Sequence, residues 1–456
     1  MITVRTIETT SLGDRSYLAH DGEVAVVVDP QRDFDRVLDL ARTEGVRITH
    51  VLETHIHNDY VTGGLALAAE TGAAYHVNAD DEVDFDRVPT HDGDVIAVGD
   101  TMRIRALHTP GHTHTHLSYV LEADGEHVAA FTGGSLLYGS TGRPDLLGPD
   151  HTDALVHAQW HSARRLAELP DETSLYPTHG FGSFCSATQE EGDSGTIGDE
   201  RRTNPALTQA EEEYVAELLG ALEDYPAYYV HMGPANALGP DAPDLSTPEP
   251  ADPAELRRRI DAGEWVVDLR NRSAFAAGHV AGTVNFGIDG QFITYLGWLM
   301  PYDATVTLLG ATPEDVEEAQ RDMARIGLAG PAAQATGGPL QWSGGRELAS
   351  YPTATFEDLA SEISSRPEDE RPVVLDVRRA SEFDEAHIDG AVNLPIHTVL
   401  AHLDSVPRRP LWVHCAGGYR AGVVASLLDA HGFDVTAVDD SFDAAHDTDL
   451  PLVLAA

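Results

Sequence analysis

The stretch Ile48-Thr49-His50-Val51-Leu52-Glu53 runs directly into Thr54-His55-Ile56-His57-Asn58-Asp59-Tyr60. A short apolar strand thus ends in a polar turn that carries two histidines two residues apart, so both imidazoles can converge on one ion. Further along, Pro110-Gly111-His112 offers a third histidine from a tight turn, and Pro177-Thr178-His179-Gly180 a fourth. Three histidines with an open position make a catalytic metal set rather than a structural one. His55, His57 and His112 are therefore the expected ligands, with Asp59 and His179 as further ligands or supports. Around them, strands such as Val24–Asp29, Met102–Leu107 and Leu117–Leu121 alternate with polar loops over the first ~240 residues. That pattern predicts a strand-rich α/β domain with its histidines on loops at strand ends, where sites are commonly built.

The other end of the chain carries a different chemistry. Leu411-Trp412-Val413-His414 is an apolar strand that stops at Cys415-Ala416-Gly417-Gly418-Tyr419-Arg420, and Ala421 to Leu428 reads as a buried helix. A thiol between a strand end and a helix start meets the positive end of the helix, which favours its thiolate. Gly417 and Gly418 let Ala416 to Tyr419 close into a nest of inward N–H groups, and Arg420 adds a fixed charge. Upstream lies a weak internal repeat. Val266-Val267-Asp268-Leu269-Arg270, Phe275 and His279 to Asn285 match Val374-Leu375-Asp376-Val377-Arg378, Phe383 and His387 to Asn393. Each copy predicts strand, helix and turn in a parallel sheet. The first copy reads Thr307-Leu308-Leu309-Gly310-Ala311-Thr312-Pro313 where the cysteine loop should follow and so is expected to be non-catalytic. A Pro- and Asp-rich stretch within 239–250 is a linker by composition. The expected organisation is a metal domain over 1–240, a linker over 241–252, a copy without the thiol over 253–348 and a copy with Cys415 over 352–456.

With 456 residues the chain is long enough for about three domains at roughly 150 residues each. Net charge is −46, and all 29 basic residues are arginine. Repulsion on that scale loosens a compact state in dilute buffer and is screened in molar salt, so the composition resembles that of proteins from extreme halophiles. Nucleic-acid binding is disfavoured, since phosphate contacts need basic patches. No stretch approaches the ~18 apolar residues of a membrane span, the first residues lack a signal-peptide layout, and two cysteines rule out a disulfide scaffold. A cytoplasmic protein with no membrane partner, assembling as a homo-oligomer, is the expectation.

The cysteine loop, with Asp376-Val377-Arg378 and Ala386-His387-Ile388-Asp389-Gly390-Ala391, resembles the rhodanese sulfurtransferases. The resemblance implies that Cys415 carries a sulfane sulfur, stabilised by Arg420 and the loop amides. Ala386 stands where glycine is usual. The histidine turns resemble the metallo-β-lactamase fold, an αββα sandwich. Tyr176 to Cys185 and Gly195 to Arg201 look like the branch that is fused to rhodanese domains and includes persulfide dioxygenases. Resemblance covers nearly the whole chain and implies one divalent metal, iron(II) first and zinc(II) second. It also implies a low-molecular-weight thiol persulfide or thiosulfate as donor, and a thiol or sulfite as acceptor. Two departures stand out: Tyr60 replaces the family's last motif histidine, and Gly134 in Phe131-Thr132-Gly133-Gly134-Ser135 replaces its aspartate ligand.

The leading expectation is a sulfur-metabolism enzyme that couples a persulfide dioxygenase-like metal domain to sulfurtransfer through Cys415. One alternative is a metal-dependent thioester hydrolase resembling hydroxyacylglutathione hydrolase, acting through metal-activated hydroxide. Another is a sulfur-binding protein or sulfurtransferase with a vestigial metal domain. Arg143 offers either a grip for a substrate carboxylate or an ion pair with Asp145. Cys185, six residues after His179, offers either a sulfur relay or a buried small apolar residue.

Overall fold

The computed structural model describes residues 2–188, 192 and 194–455. The chain forms two compact units, Met1–Asp244 with Met323–Leu328, and Leu245–Asp322 with Ala329–Ala456.

The first unit is built on two sheets. One orders the strands Thr3–Thr9, Asp14–His20, Val24–Val28, Arg47–Leu52, Ala74–Asn78 and Val88–Thr90 in sequence, antiparallel at first and parallel from the third onward. The other runs Ser174–Pro177, Glu126–Gly133, Leu117–Ala123, Met102–His108 and Val95–Val98, and only its pairing with Ser174–Pro177 is parallel. Alternation along the strands decides which face each residue takes. Tyr17, Val26, Val28 and Leu52 of one sheet meet Ile104, Tyr119, Leu121 and Phe131 of the other in one core. The opposite faces are covered by helices. Asp35–Glu44 and Gly64–Thr71 place Val37, Ala41, Leu67 and Ala68 on Val27, Ile48 and Val51. Pro149–Leu166 and Glu211–Ala221 place Val156, Ala163, Tyr214 and Leu218 in one cluster with Val120 and Ala130. This is the four-layer αββα sandwich, and its strand-end loops hold the histidines.

The second unit holds two parallel sheets, ordered Val284–Asn285, Trp265–Asp268, Val306–Gly310, Ala333–Thr336 and Thr353–Ala354, Val435–Val438, Leu411–His414, Val373–Asp376, Val392–Asn393. The repeated residues turn out to be the same set of pins. Arg270 and Arg378 each fold back on the carboxylate two residues earlier, Asp268 and Asp376, and donate to the carbonyls of Gly278 and Ala386. His279 and His387 donate from Nδ1 to the carbonyls of Phe275 and Phe383 and stack on those rings at 3.9 and 3.8 Å. Asn285 and Asn393 bond the carbonyls flanking each Asp-x-Arg. Ala386 serves where glycine is usual because only its backbone is used. Residues 249–251 of the Pro-rich stretch are not free chain: Gln334 N donates to Glu249 O, and Ala251 N to Gln334 O. The cysteine-side helix spans Tyr419–Ala430, so Tyr419 and Arg420 stand in its first turn rather than before it. No helix among the described residues is long and apolar enough to cross a membrane.

Candidate metal centre and persulfide loop

The turn after Arg47–Leu52 brings His55 and His57 to ring centroids 4.1 Å apart. His112 lies 4.8 Å from His55, and His179 lies 5.0 Å from His112. All four are buried, and each is held through one nitrogen while the other is open. His55 Nδ1 meets Thr54 Oγ1 at 2.8 Å, and His112 Nδ1 donates to the Arg143 carbonyl at 2.9 Å. His179 Nδ1 donates to Asp14 at 2.9 Å, and His57 Nε2 faces Glu53 at 3.2 Å and Asp29 at 3.4 Å. Left without hydrogen-bond partners are His55 Nε2, His57 Nδ1, His112 Nε2, His179 Nε2 and Asp59 Oδ1. Buried polar atoms are nearly always satisfied. Imidazoles oriented by carboxylates and carbonyls on one side and open on the other are the arrangement of metal-ligating histidines. The residues fit a divalent metal on that ground.

Ligand atoms within 4.8 Å of one another occur in four groups: His55, His57, His179; His112, His179, Cys185; Asp14, Asp59, His179; and Asp29, Glu53, His57. His57 and His112 thus fall in different groups, and His179, expected as a further ligand or a support, belongs to three of the four. The charge balance also favours a cation. Burial opposes the charge on His57 and His179, yet Asp29 with Glu53 pushes His57 up to about 10, and Asp59 with Asp14 pushes His179 up to about 9. Burial and the His179 charge hold His112 down at about 3. Burial and the neighbouring Asp59 raise Asp14 to about 7.

The two family departures have physical consequences. Tyr60 is buried, stacks on His57 at 4.3 Å, and sets its hydroxyl 3.0 Å from His57 Nε2, so it orients that ring. A Cβ on Gly134 would stand 2.6 Å from His112 Cγ, so no carboxylate side chain fits there beside this histidine.

Arg143 does not offer a carboxylate grip. Its guanidinium forms two bonds to Asp145 at 2.7 and 2.8 Å, bonds the carbonyls of Phe184 and Glu223, and packs over Tyr225. Of its two readings the ion pair is the one found. Asp14, Asp29 and Glu53 were not singled out in the sequence. Asp29 had a signal, a carboxylate closing the run Val24 to Val28; its φ of 50° turns the chain there. Asp14 had none, because its partner His179 is 165 residues away.

In the second unit, Cys415 is buried where the strand Leu411–His414 meets the helix Tyr419–Ala430, and Gly418 N donates to its Sγ at 3.1 Å. Gly418 needs its φ of 86° and its lack of Cβ, which would stand 3.0 Å from Arg272 Nε. Arg420 is fixed by two bonds to Glu382 at 2.6 and 2.7 Å. The copy without the thiol packs on this loop: Arg272 bonds Asp439 at 2.7 Å, and Tyr419 donates to the Gly287 carbonyl at 2.8 Å.

Comparisons with known proteins agree with both halves. A family model for the metallo-beta-lactamase superfamily matches residues 15–179, and one for the rhodanese-like domain matches residues 359–448. The human mitochondrial persulfide dioxygenase ETHE1 is 30% identical over 217 residues, which cover 47% of this chain and 76% of that protein. A hydroxyacylglutathione hydrolase of Polaromonas sp. is 37% identical over 161 residues, 34% of this chain; the chain spans only 57% of that relative. Among solved structures, a metallo-beta-lactamase from Staphylococcus aureus aligns over 74% of this chain and 99% of its own, with 28% identity and a TM-score of 0.66. The chain belongs to the metallo-β-lactamase superfamily and carries a rhodanese-like domain in its C-terminal part, a fusion of the two.

Proposed function

We propose that the protein is a sulfur-metabolism enzyme in which a persulfide dioxygenase-like metal domain is coupled to sulfurtransfer through Cys415. The observation that carries this reading is the set of four buried histidines, each anchored on one nitrogen and open on the other. Iron(II) bound there would supply the redox-active ion that brings a thiol persulfide and oxygen together, whereas zinc(II), the second choice, would supply only Lewis-acid chemistry. Asp29 and Glu53 orient His57, Asp14 orients His179, and the Arg143 carbonyl orients His112. The buried surroundings keep bulk water from the reacting sulfur.

At the second site the Cys415 thiolate attacks the sulfane sulfur of a donor persulfide or thiosulfate. The donor S–S bond breaks, the donor leaves as thiolate or sulfite, and Cys415 holds the persulfide. The Gly418 amide and the helix start stabilise its charge. An acceptor thiolate or sulfite then takes the outer sulfur and restores the Cys415 thiolate. The copy over 253–348 contributes packing rather than chemistry. The expected setting is a salt-rich cytoplasm, and the expected assembly a homo-oligomer.

Oxygen uptake and sulfite formation by the anaerobically iron-loaded chain in molar salt, given a small-thiol persulfide, test this reading. Uptake lost in His55→Ala and His112→Ala supports it. Transfer through Cys415 without uptake refutes the dioxygenase half. Thioester hydrolysis by the loaded chain instead would favour the chemistry named for the Polaromonas relative.

A further inference from the structure

The first unit lacks the carboxylate that its family places at residue 134, and Gly134 has no room for one. The one thiol of the unit, that of Cys185, stands at that edge of the histidine cluster. Cys185 is buried, and its Sγ forms with His112 and His179 a group whose ligand atoms lie within 4.8 Å of one another. His112 Nε2 and His179 Nε2 in that group are buried and unpartnered.

The placement of Cys185 is built rather than incidental. Arg143 donates from its backbone N–H to the Cys185 carbonyl at 2.8 Å, while its own carbonyl takes the Nδ1–H of His112 at 2.9 Å. One residue therefore ties the Cys185 backbone to the His112 ring. Its guanidinium, locked on Asp145, also bonds the carbonyl of Phe184. Ser183 Oγ accepts the Cys185 N–H at 3.2 Å.

We propose that Cys185 is a ligand of the metal centre, its thiolate joining His112 and His179 and supplying the anionic donor that Gly134 withholds. Binding breaks the S–H bond, forms a sulfur–metal bond and releases one proton to solvent, with no change of oxidation state; a coordinated thiol is deprotonated outright. Sulfur and imidazole donors together suit iron(II) or zinc(II). A ligating Cys185 is not free to relay sulfur, so the relay expected as one reading from the sequence is replaced by a structural bond to the ion. The inference rests on the metal centre proposed above.

Cobalt(II) is the probe, because thiolate coordination gives it a near-ultraviolet charge-transfer band distinct from its visible bands. The full-length Cys415→Ser chain keeps Cys185 as its one thiol and leaves the metal site unaltered. The expected result is one retained cobalt per chain with the near-ultraviolet band present. Adding Cys185→Ser should abolish that band while cobalt's visible bands remain. Retained cobalt without the near-ultraviolet band in the Cys415→Ser chain overturns the ligand and leaves the histidine centre standing. No retained cobalt overturns both.

Discussion

Gly134 lies against the His112 ring so closely that a Cβ would stand 2.6 Å from Cγ and 2.9 Å from Nε2. His112 cannot yield easily, because its Nδ1–H is held by the Arg143 carbonyl in a fully buried setting. Gly134→Ala should therefore cost about 1–3 kcal/mol by overpacking. Gly134→Asp should lower metal content rather than restore a lost ligand. Urea unfolding in molar salt and elemental analysis of each variant check this; a metal-richer Gly134→Asp chain would contradict it.

Asp29 accepts bonds from Thr54 N at 2.7 Å and Thr54 Oγ1 at 2.8 Å, is bonded by Thr178 Oγ1, and faces His57 Nε2. Asp29→Asn keeps the shape and tolerates the positive φ, but it removes the charge that orients His57. Metal affinity should fall roughly 10- to 100-fold, read by competition with a chelator. Unchanged affinity would mean that His57 is not a ligand.

The Arg420–Glu382 fork holds the guanidinium beside the thiol loop in one orientation. Glu382→Gln should reduce kcat/KM for thiosulfate–cyanide sulfurtransfer about tenfold, a loss of ~1.4 kcal/mol typical of a charge-assisted bond. Arg420→Lys should not substitute, since an ammonium cannot make the two-point contact.

Burial, aided by the Arg378 charge, holds His414 down at about 4 against an ordinary 6.5. The unfolded chain then binds a proton that the folded chain refuses. Stability of the second unit is thus complete above pH 6.5 and falls as pH drops toward 4, by at most about 3 kcal/mol from this group. His414→Phe should flatten the unfolding midpoint across that window. An equally steep profile in the variant would assign the acid sensitivity elsewhere.

A net charge of −46 should make stability rise with salt. Between 0.1 and 1 M the Debye length shrinks from about 10 Å to about 3 Å. The thermal midpoint measured over that range should climb throughout; a flat response would show that the acidic surface imposes little repulsion.

The parts readable from sequence are those whose geometry is local. His55 and His57 share one turn, Cys415 to Arg420 are contiguous, and the Asp-x-Arg, Phe, His and Asn pins recur at fixed offsets because each bonds backbone within its own βα unit. The tertiary structure decided what depends on distant chain segments meeting. Asp14 reaches His179 across 165 residues, and Arg143 settled on Asp145 once its other donors found the carbonyls of Phe184 and Glu223. Cys185 meets His112 only because strands from both halves of a sheet end at one rim. Local spacing specifies which residues share a turn; only the packing of the two sheets specifies which turns meet.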